Sequence, residues 1–239
     1  MPMLNLSTVN LYYEVSGDGP PLLLIHGLGS SSRDWENQVG SFSKEYQVVT
    51  LDLRGHGQSS KTPEPYSVRI FAEDTAALIR ELEVVPAHVV GISMGGMIAF
   101  ELALHFPELL RSMVIVNSYP EMRVETIREH LQIWRRYIFL ELLGMRGTGL
   151  MLSKHLFPYP EQADLRELFV QRWAENDKRA YRESLRAIVN WDVEERISEI
   201  RCPVLVVASD KDYMPLEEKK NYAAKISNAK LVVIEDARH

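Results

Sequence analysis

Short apolar, β-branched runs alternate with helical patterns along most of this chain, the arrangement of a largely parallel α/β sheet flanked by helices. Runs at Leu11–Val15, Pro21–His26, Gln47–Leu51, Ala87–Ile92, Met113–Val116, Val204–Ala208 and Leu231–Ile234 predict strands. Val68–Leu82 carries Ile70, Phe71, Ala77, Leu78 and Leu82 on one helical stripe. Met97–His105 continues the strand Ala87–Ile92 through a turn and reads as a helix up to Pro107.

Between Val116 and Cys202 the pattern changes, and no convincing strand is found from about 120 to 195. Val124, Ile127, Leu131, Trp134, Ile138 and Leu142 are spaced 3, 4, 3, 4 and 4, one wide apolar helix face. Ile133, Tyr137 and Leu140 add a second stripe, so this helix is expected to be covered on two sides. Further helical stretches run through Leu165–Trp173 and Tyr181–Trp191. A crossover between parallel strands needs only one helix. The expectation is therefore a helical cap over residues 119–195, inserted into a sheet domain formed by 1–118 and 196–239.

Composition narrows the class. A chain of 239 residues that is 46% apolar can bury a sizeable core as one large domain with an insertion. Its net charge of −6 gives no electrostatic footing on a phosphate backbone, so nucleic acid is not an expected partner. The single cysteine, Cys202, excludes an intrachain disulfide or a cysteine-rich zinc site and points to a reducing compartment. The longest stretch without Asp, Glu, Lys or Arg, Val84 to Phe100, is 17 residues and is broken by Pro86 and three glycines, which is not a membrane span. The start shows no basic region followed by an apolar core, so no signal peptide is expected and a cytoplasmic location is the default.

Gly91-Ile92-Ser93-Met94-Gly95 is a G-x-S-x-G sequence with a strand before it and a helix after it. A tight strand-to-helix turn lifts a serine hydroxyl clear of the sheet and demands small neighbours. Ser93 is thus the candidate nucleophile, and Met94 N–H, at the helix N-terminus, a candidate oxyanion donor. A hydroxyl at its ordinary pKa needs a base. Of the seven histidines, His239 follows the last strand and is best placed. His26 and His56 read as loop-fixing residues and His88 as a packing residue, while His105, His130 and His155 lie on helical stretches. The orienting carboxylate comes from the loop after Val204–Ala208, where Asp212 is favoured for its reach and Asp210 is the alternative, able to cap the turn. His26-Gly27-Leu28-Gly29 could aim the Leu28 N–H at the same oxyanion.

Taken together, His26-Gly-Leu-Gly, Asp52-Leu-Arg-Gly-His-Gly-Gln-Ser, Gly91-Ile-Ser-Met-Gly-Gly and the late Asp-then-His pair resemble the α/β-hydrolase superfamily, in its Ser–acid–His order. Within it the chain is most similar to small capped carboxylesterases and 3-oxoadipate enol-lactonases. The resemblance implies a serine esterase or lactonase with no metal or organic cofactor, acting on a small-molecule ester or lactone. A thioesterase, a carbon–carbon bond hydrolase and a non-turnover small-molecule receptor are the alternatives on the same fold. Trp134, Ile138 and Leu142 of the cap are candidates for lining an acyl pocket. Members usually continue past the histidine into another helix, whereas this sequence stops at His239, a ring with no downstream backbone to hold it.

Overall fold

The computed structural model describes residues 2–63 and 65–239. Its eight strands are β1 (Met3–Asn5), β2 (Asn10–Ser16), β3 (Pro21–Ile25), β4 (Gln47–Leu51), β5 (Ala87–Ile92), β6 (Leu110–Val116), β7 (Val204–Ser209) and β8 (Ala229–Ile234). They form one sheet in the order β1-β2-β4-β3-β5-β6-β7-β8. The β1–β2 and β2–β4 pairs are antiparallel, and every later pair is parallel. Helices α1 (Glu36–Phe42), α2 (Val68–Glu81), α3 (Met94–His105) and α7 (Leu216–Ala224) accompany the sheet.

The apolar runs are continuous because the central strands are covered on both faces. Leu23, Ile25, Val49, Leu51 and Val89 join a large core with Phe71, Leu78 and Ile79 of α2 and Ile98 and Phe100 of α3. Their strand neighbours Leu22, Leu24 and Val48 point the other way, onto Val39 and Phe42 of α1. This two-residue alternation fixes the register: a one-residue slip would exchange the two cores. Ser67 starts α2 by accepting the Ile70 N–H at 3.1 Å.

Between β6 and β7 lie α4 (Ile127–Leu156), α5 (Ala163–Ala174) and α6 (Lys178–Ile188), a wholly helical insert. Thr126 and Glu129 form a reciprocal cap at the start of α4. The helix kinks at Gly144, whose φ of 64° and ψ of −169° are not helical. Where the chain leaves and rejoins the sheet, its two arms are tied together by Met122 N to Trp191 O (2.7 Å) and Val193 N to Pro120 O (2.8 Å).

Some elements differ from the sequence expectation. The strand β1 and the short helices α1 and α7 lie outside the elements the sequence pattern predicts. The third helix of the insert ends at Ile188 rather than Trp191. The apolar stripe expected on α4 is not covered on both sides: Ile127, Leu131, Trp134 and Leu142 are exposed, while Leu140 of the second stripe is buried. No helix among the described residues is long and apolar enough to cross a membrane.

Candidate active site

The carboxyl ends of parallel strands form a rim where loops converge, the usual place for ligands in open α/β sheets. Ser93 follows β5, Asp212 follows β7 and His239 follows β8. Ser93 itself sits at φ 54° and ψ −119°, a backbone region that L-residues occupy only under constraint. Two close approaches supply that constraint. A methyl group on Gly91 would meet Gly95 O at 2.2 Å, and one on Gly95 would meet Ile25 O at 2.3 Å. Only glycine lets α3 start directly against β3 and β5, and this close packing pushes the hydroxyl outward.

The Ser93 Oγ lies 2.9 Å from His239 Nε2, and His239 Nδ1 lies 2.7 Å from Asp212 Oδ1. With the Nδ1–H donating to the carboxylate, Nε2 is left as the acceptor for the serine hydroxyl. The His239 ring is thus held from both sides. It is also packed against Tyr213, with ring centroids 4.4 Å apart, and Tyr213 in turn stacks on His155 of α4. Burial pushes the Tyr213 hydroxyl up to about 12. Arg238, just before the histidine, is tied down by Asn117 Nδ2 donating to its carbonyl at 3.3 Å.

Asp212 also accepts the Tyr213 N–H at 2.7 Å and an ion pair from Lys219. Burial raises its pKa, but the hydrogen bond and charge of His239, followed by those of Lys219, outweigh this and hold it below the ordinary carboxylate range. Asp210 plays the other part open to it: its Oδ1 caps the turn by accepting the Ala237 N–H at 3.0 Å.

Gly27 brings the loop after β3 against the serine, its would-be methyl 3.4 Å from Ser93 Cβ. Among the described residues the backbone N–H groups of Leu28 and Met94 meet no acceptor within the chain. His26 braces this loop as a neutral ring, with Nδ1 donating to Gly27 O (2.7 Å) and Nε2 accepting the Leu53 N–H (3.0 Å). Asp52 joins two loops by accepting the Ser32 and Gln58 N–H groups, each at 2.7 Å.

The insert touches the same loop. Leu28 packs against Leu140, Met145, Trp173 and Tyr181. Asn176 donates to Gly29 O at 2.9 Å, and Arg172 reaches Asp34 (3.0 Å) and Glu36 (2.7 Å). By contrast, Trp134 is 64% and Leu142 76% exposed, and neither they nor the half-buried Ile138 join a buried cluster. The structure therefore gathers Ser93, Asp212, His239, Leu28 and Met94 at one rim but leaves Trp134 and Leu142 facing outward.

Two residues at the rim escaped the sequence reading. Asn117, at φ 43° just past β6, bridges Ser209, Lys219 and Arg238. Lys219 is fully buried. A signal for it existed: Leu216, Tyr222, Ala223 and Ile226 mark an apolar helix face on which Lys219 falls, an odd place for a lysine without a partner. Among the described residues, no group of three His, Cys, Asp or Glu side chains is placed to hold a metal ion.

A mostly parallel sheet with a sharp strand-to-helix turn at the carboxyl end of a central strand defines one large class of α/β proteins. The alpha/beta hydrolase fold family matches residues 20–239, and the chain belongs to that family. It is 30% identical over 219 residues to a protein of Azorhizobium caulinodans named "Putative carbamate hydrolase RutD", covering 89% of this chain and 81% of that one. It is 28% identical over 212 residues to 3-oxoadipate enol-lactonase 2 of Acinetobacter baylyi, covering 87% and 78% respectively. A solved hydrolase from Pseudomonas aeruginosa superposes with a TM-score of 0.89 at 27% identity, covering all of this chain and 91% of that one.

Proposed function

We propose that the protein is a serine hydrolase of carboxylic esters or lactones, with residues 119–195 acting as a cap over the site. The observation that carries this reading is the hydrogen-bonded chain Ser93 Oγ–His239 Nε2–Asp212, with links of 2.9 and 2.7 Å. Ser93 Oγ adds to the carbonyl carbon as His239 Nε2 takes its proton. The oxyanion that forms is received by the Leu28 and Met94 N–H groups, each such donor contributing about 2.7–4 kcal/mol to the transition state. His239 then returns the proton to the departing alkoxide, which leaves an acyl ester on Ser93. Water, deprotonated by the same ring, releases the acid. Asp212 keeps the ring in the tautomer that presents Nε2 and stabilises its charged form.

Esters and lactones suit this site because the alkoxide leaving group needs one proton, and His239 is the group in reach to give it. The enol-lactonase relative acts on such a bond by its name. A carbamate is the second acyl class to try, because the relative at 30% identity carries that name.

The test is labelling by a fluorophosphonate probe, followed by turnover of p-nitrophenyl esters, lactones, carbamates and acyl thioesters. Wild-type protein should be labelled on Ser93, and Ser93→Ala should lose labelling and about 10^6-fold in turnover with its melting temperature unchanged. Substantial hydrolysis by Ser93→Ala would defeat the assignment. Ligand-dependent stabilisation without turnover would point to a receptor.

A further inference from the structure

Lysine is among the residues least often fully buried, and a buried one is normally paired. Lys219 meets that condition with two partners. Its Nζ donates to Asp212 Oδ2 and, at 3.0 Å, to Asn117 Oδ1. The other carboxylate oxygen, Oδ1, takes the His239 Nδ1–H and the Tyr213 N–H, each at 2.7 Å. One carboxylate is thus shared, oxygen by oxygen, between a fixed cation and a ring that becomes a cation during catalysis. Holding the carboxylate in place would need only a neutral donor. A full charge at that position does something more.

We propose that Lys219 is a positioning residue that fixes the Asp212 carboxylate and divides its charge, so that His239 faces only part of that charge. The inference rests on the hydrolase reading above. An anion beside an imidazole favours the protonated ring, and a cation on the far side of that anion offsets the pull. Loss of the Lys219 charge therefore leaves His239 facing the whole of Asp212.

The other titratable and charged groups around the pair stay the same when only Lys219 is changed. Ser93 faces His239 from the β5–α3 turn, and Tyr213 and, behind it, His155 face it from the β7–α7 loop and α4. Arg136 of α4 acts on Tyr213 from farther off. On the side of α7, Tyr222 and Tyr119 pack edge to face, and burial holds both hydroxyls well above their ordinary range, so both are neutral. Glu218 acts on Tyr119. Asn117 links Lys219 to the Arg238 carbonyl, so the same amide that steadies the ammonium also steadies the residue before His239.

The experiment follows the second-order rate of fluorophosphonate labelling at Ser93 from pH 5 to 9 in wild type, Lys219→Gln, Lys219→Met and Asn117→Asp. Lys219→Gln keeps a donor without its charge, and Asn117→Asp gives the ammonium a second carboxylate at nearly constant volume. In each variant that folds, the acid limb should move to higher pH by about one unit, slowing labelling below it about tenfold beyond any loss at the plateau. Lys219→Met should also lower the plateau, because nothing then holds Oδ2. A limb that stays in place while only the plateau falls, in whichever of the three variants melts cooperatively, overturns the proposal and leaves Lys219 a purely structural residue. If wild type itself is not labelled at Ser93, the hydrolase reading fails first and takes this one with it. Labelled wild type with unmoved limbs removes this one alone.

Discussion

At the sheet rim, polar side chains are buried and bonded several times over; on the outer side of the helical insert, large apolar side chains stand in water. His26, Asp52, Asn117, Lys219 and Asp212 each tie two or more chain segments together. Ile127, Leu131, Trp134 and Leu142 of α4 are tied to nothing comparable. The reaction geometry therefore belongs to the part of the molecule whose positions are over-determined. The insert, held to the loop after β3 by Leu28, Asn176 and Arg172, is free to vary on its outer face. Unlike an oily patch, a buried polar network cannot drift without leaving a group unsatisfied.

That difference implies that the rim, not the insert, makes the fold sensitive to acid. Burial, reinforced by repulsion from the neighbouring His26, pushes the His56 ring down to about 3, and burial also lowers His26. The two ring centroids are 5.1 Å apart, and His56 Nε2 has no partner, so a proton there would be both uncompensated and repelled. In the unfolded chain these rings take up protons near pH 6.5, before the folded protein does. The His56 contribution is complete above that pH and is lost as the pH falls from about 6.5 toward 3, at up to about 1.4 kcal/mol per pH unit, and that of His26 is lost in the same direction. Asp212, held low, begins to lose its own contribution only below about pH 4. Urea unfolding at pH 7.5, 6 and 5 should show this decline, and His56→Gln should flatten it. Equal unfolding free energies at pH 7.5 and 5 would refute it.

What the sequence made legible follows the same division. The strands β3 and β7 announced themselves as unbroken apolar runs because burial on both faces leaves few polar positions to blur them, and β4 and β5 are interrupted only by Thr50 and His88. The Gly91–Gly95 signature pointed to Ser93 because a sharp turn against β3 admits few other residues. Chain order was enough to nominate Asp212 and His239. The roles of Lys219 and Asn117 stayed hidden because they depend on α7 meeting the residue just past β6, 102 positions away in the chain, which no local pattern encodes. On α4, periodicity defined two apolar faces without saying which one meets protein. Leu140 and Met145, on either side of the Gly144 kink, face inward, while Trp134 and Leu142 lie outside.

The contact between the two regions can be weakened at one atom. Asn176 Nδ2 holds Gly29 O at 2.9 Å, one residue beyond the Leu28 N–H proposed to meet the oxyanion. Asn176→Ala should let that turn relax and lower kcat about tenfold, less than the loss of an oxyanion donor itself, because the donor remains and only its aim is loosened. KM for a small ester should change little, since the amide is turned to the loop. A kcat equal to wild type would mean that His26 and Gly27 hold the loop without help from the insert.

The smallest effect is expected on the outer face of α4. Trp134 is 64% exposed and joins no buried cluster, so truncating it removes little packing. Surface substitutions of this kind usually change stability by less than about 0.5 kcal/mol. Trp134→Ala should therefore leave kcat/KM for short esters within about twofold and the melting temperature within about 2 °C. The same change at Leu140, buried on the opposite side of the helix, removes core contacts and should cost about 2–5 kcal/mol. A large rise in KM for Trp134→Ala, specific to long acyl chains, would place this outer face on the substrate's route after all. It would also remove the division drawn between a fixed rim and a permissive insert.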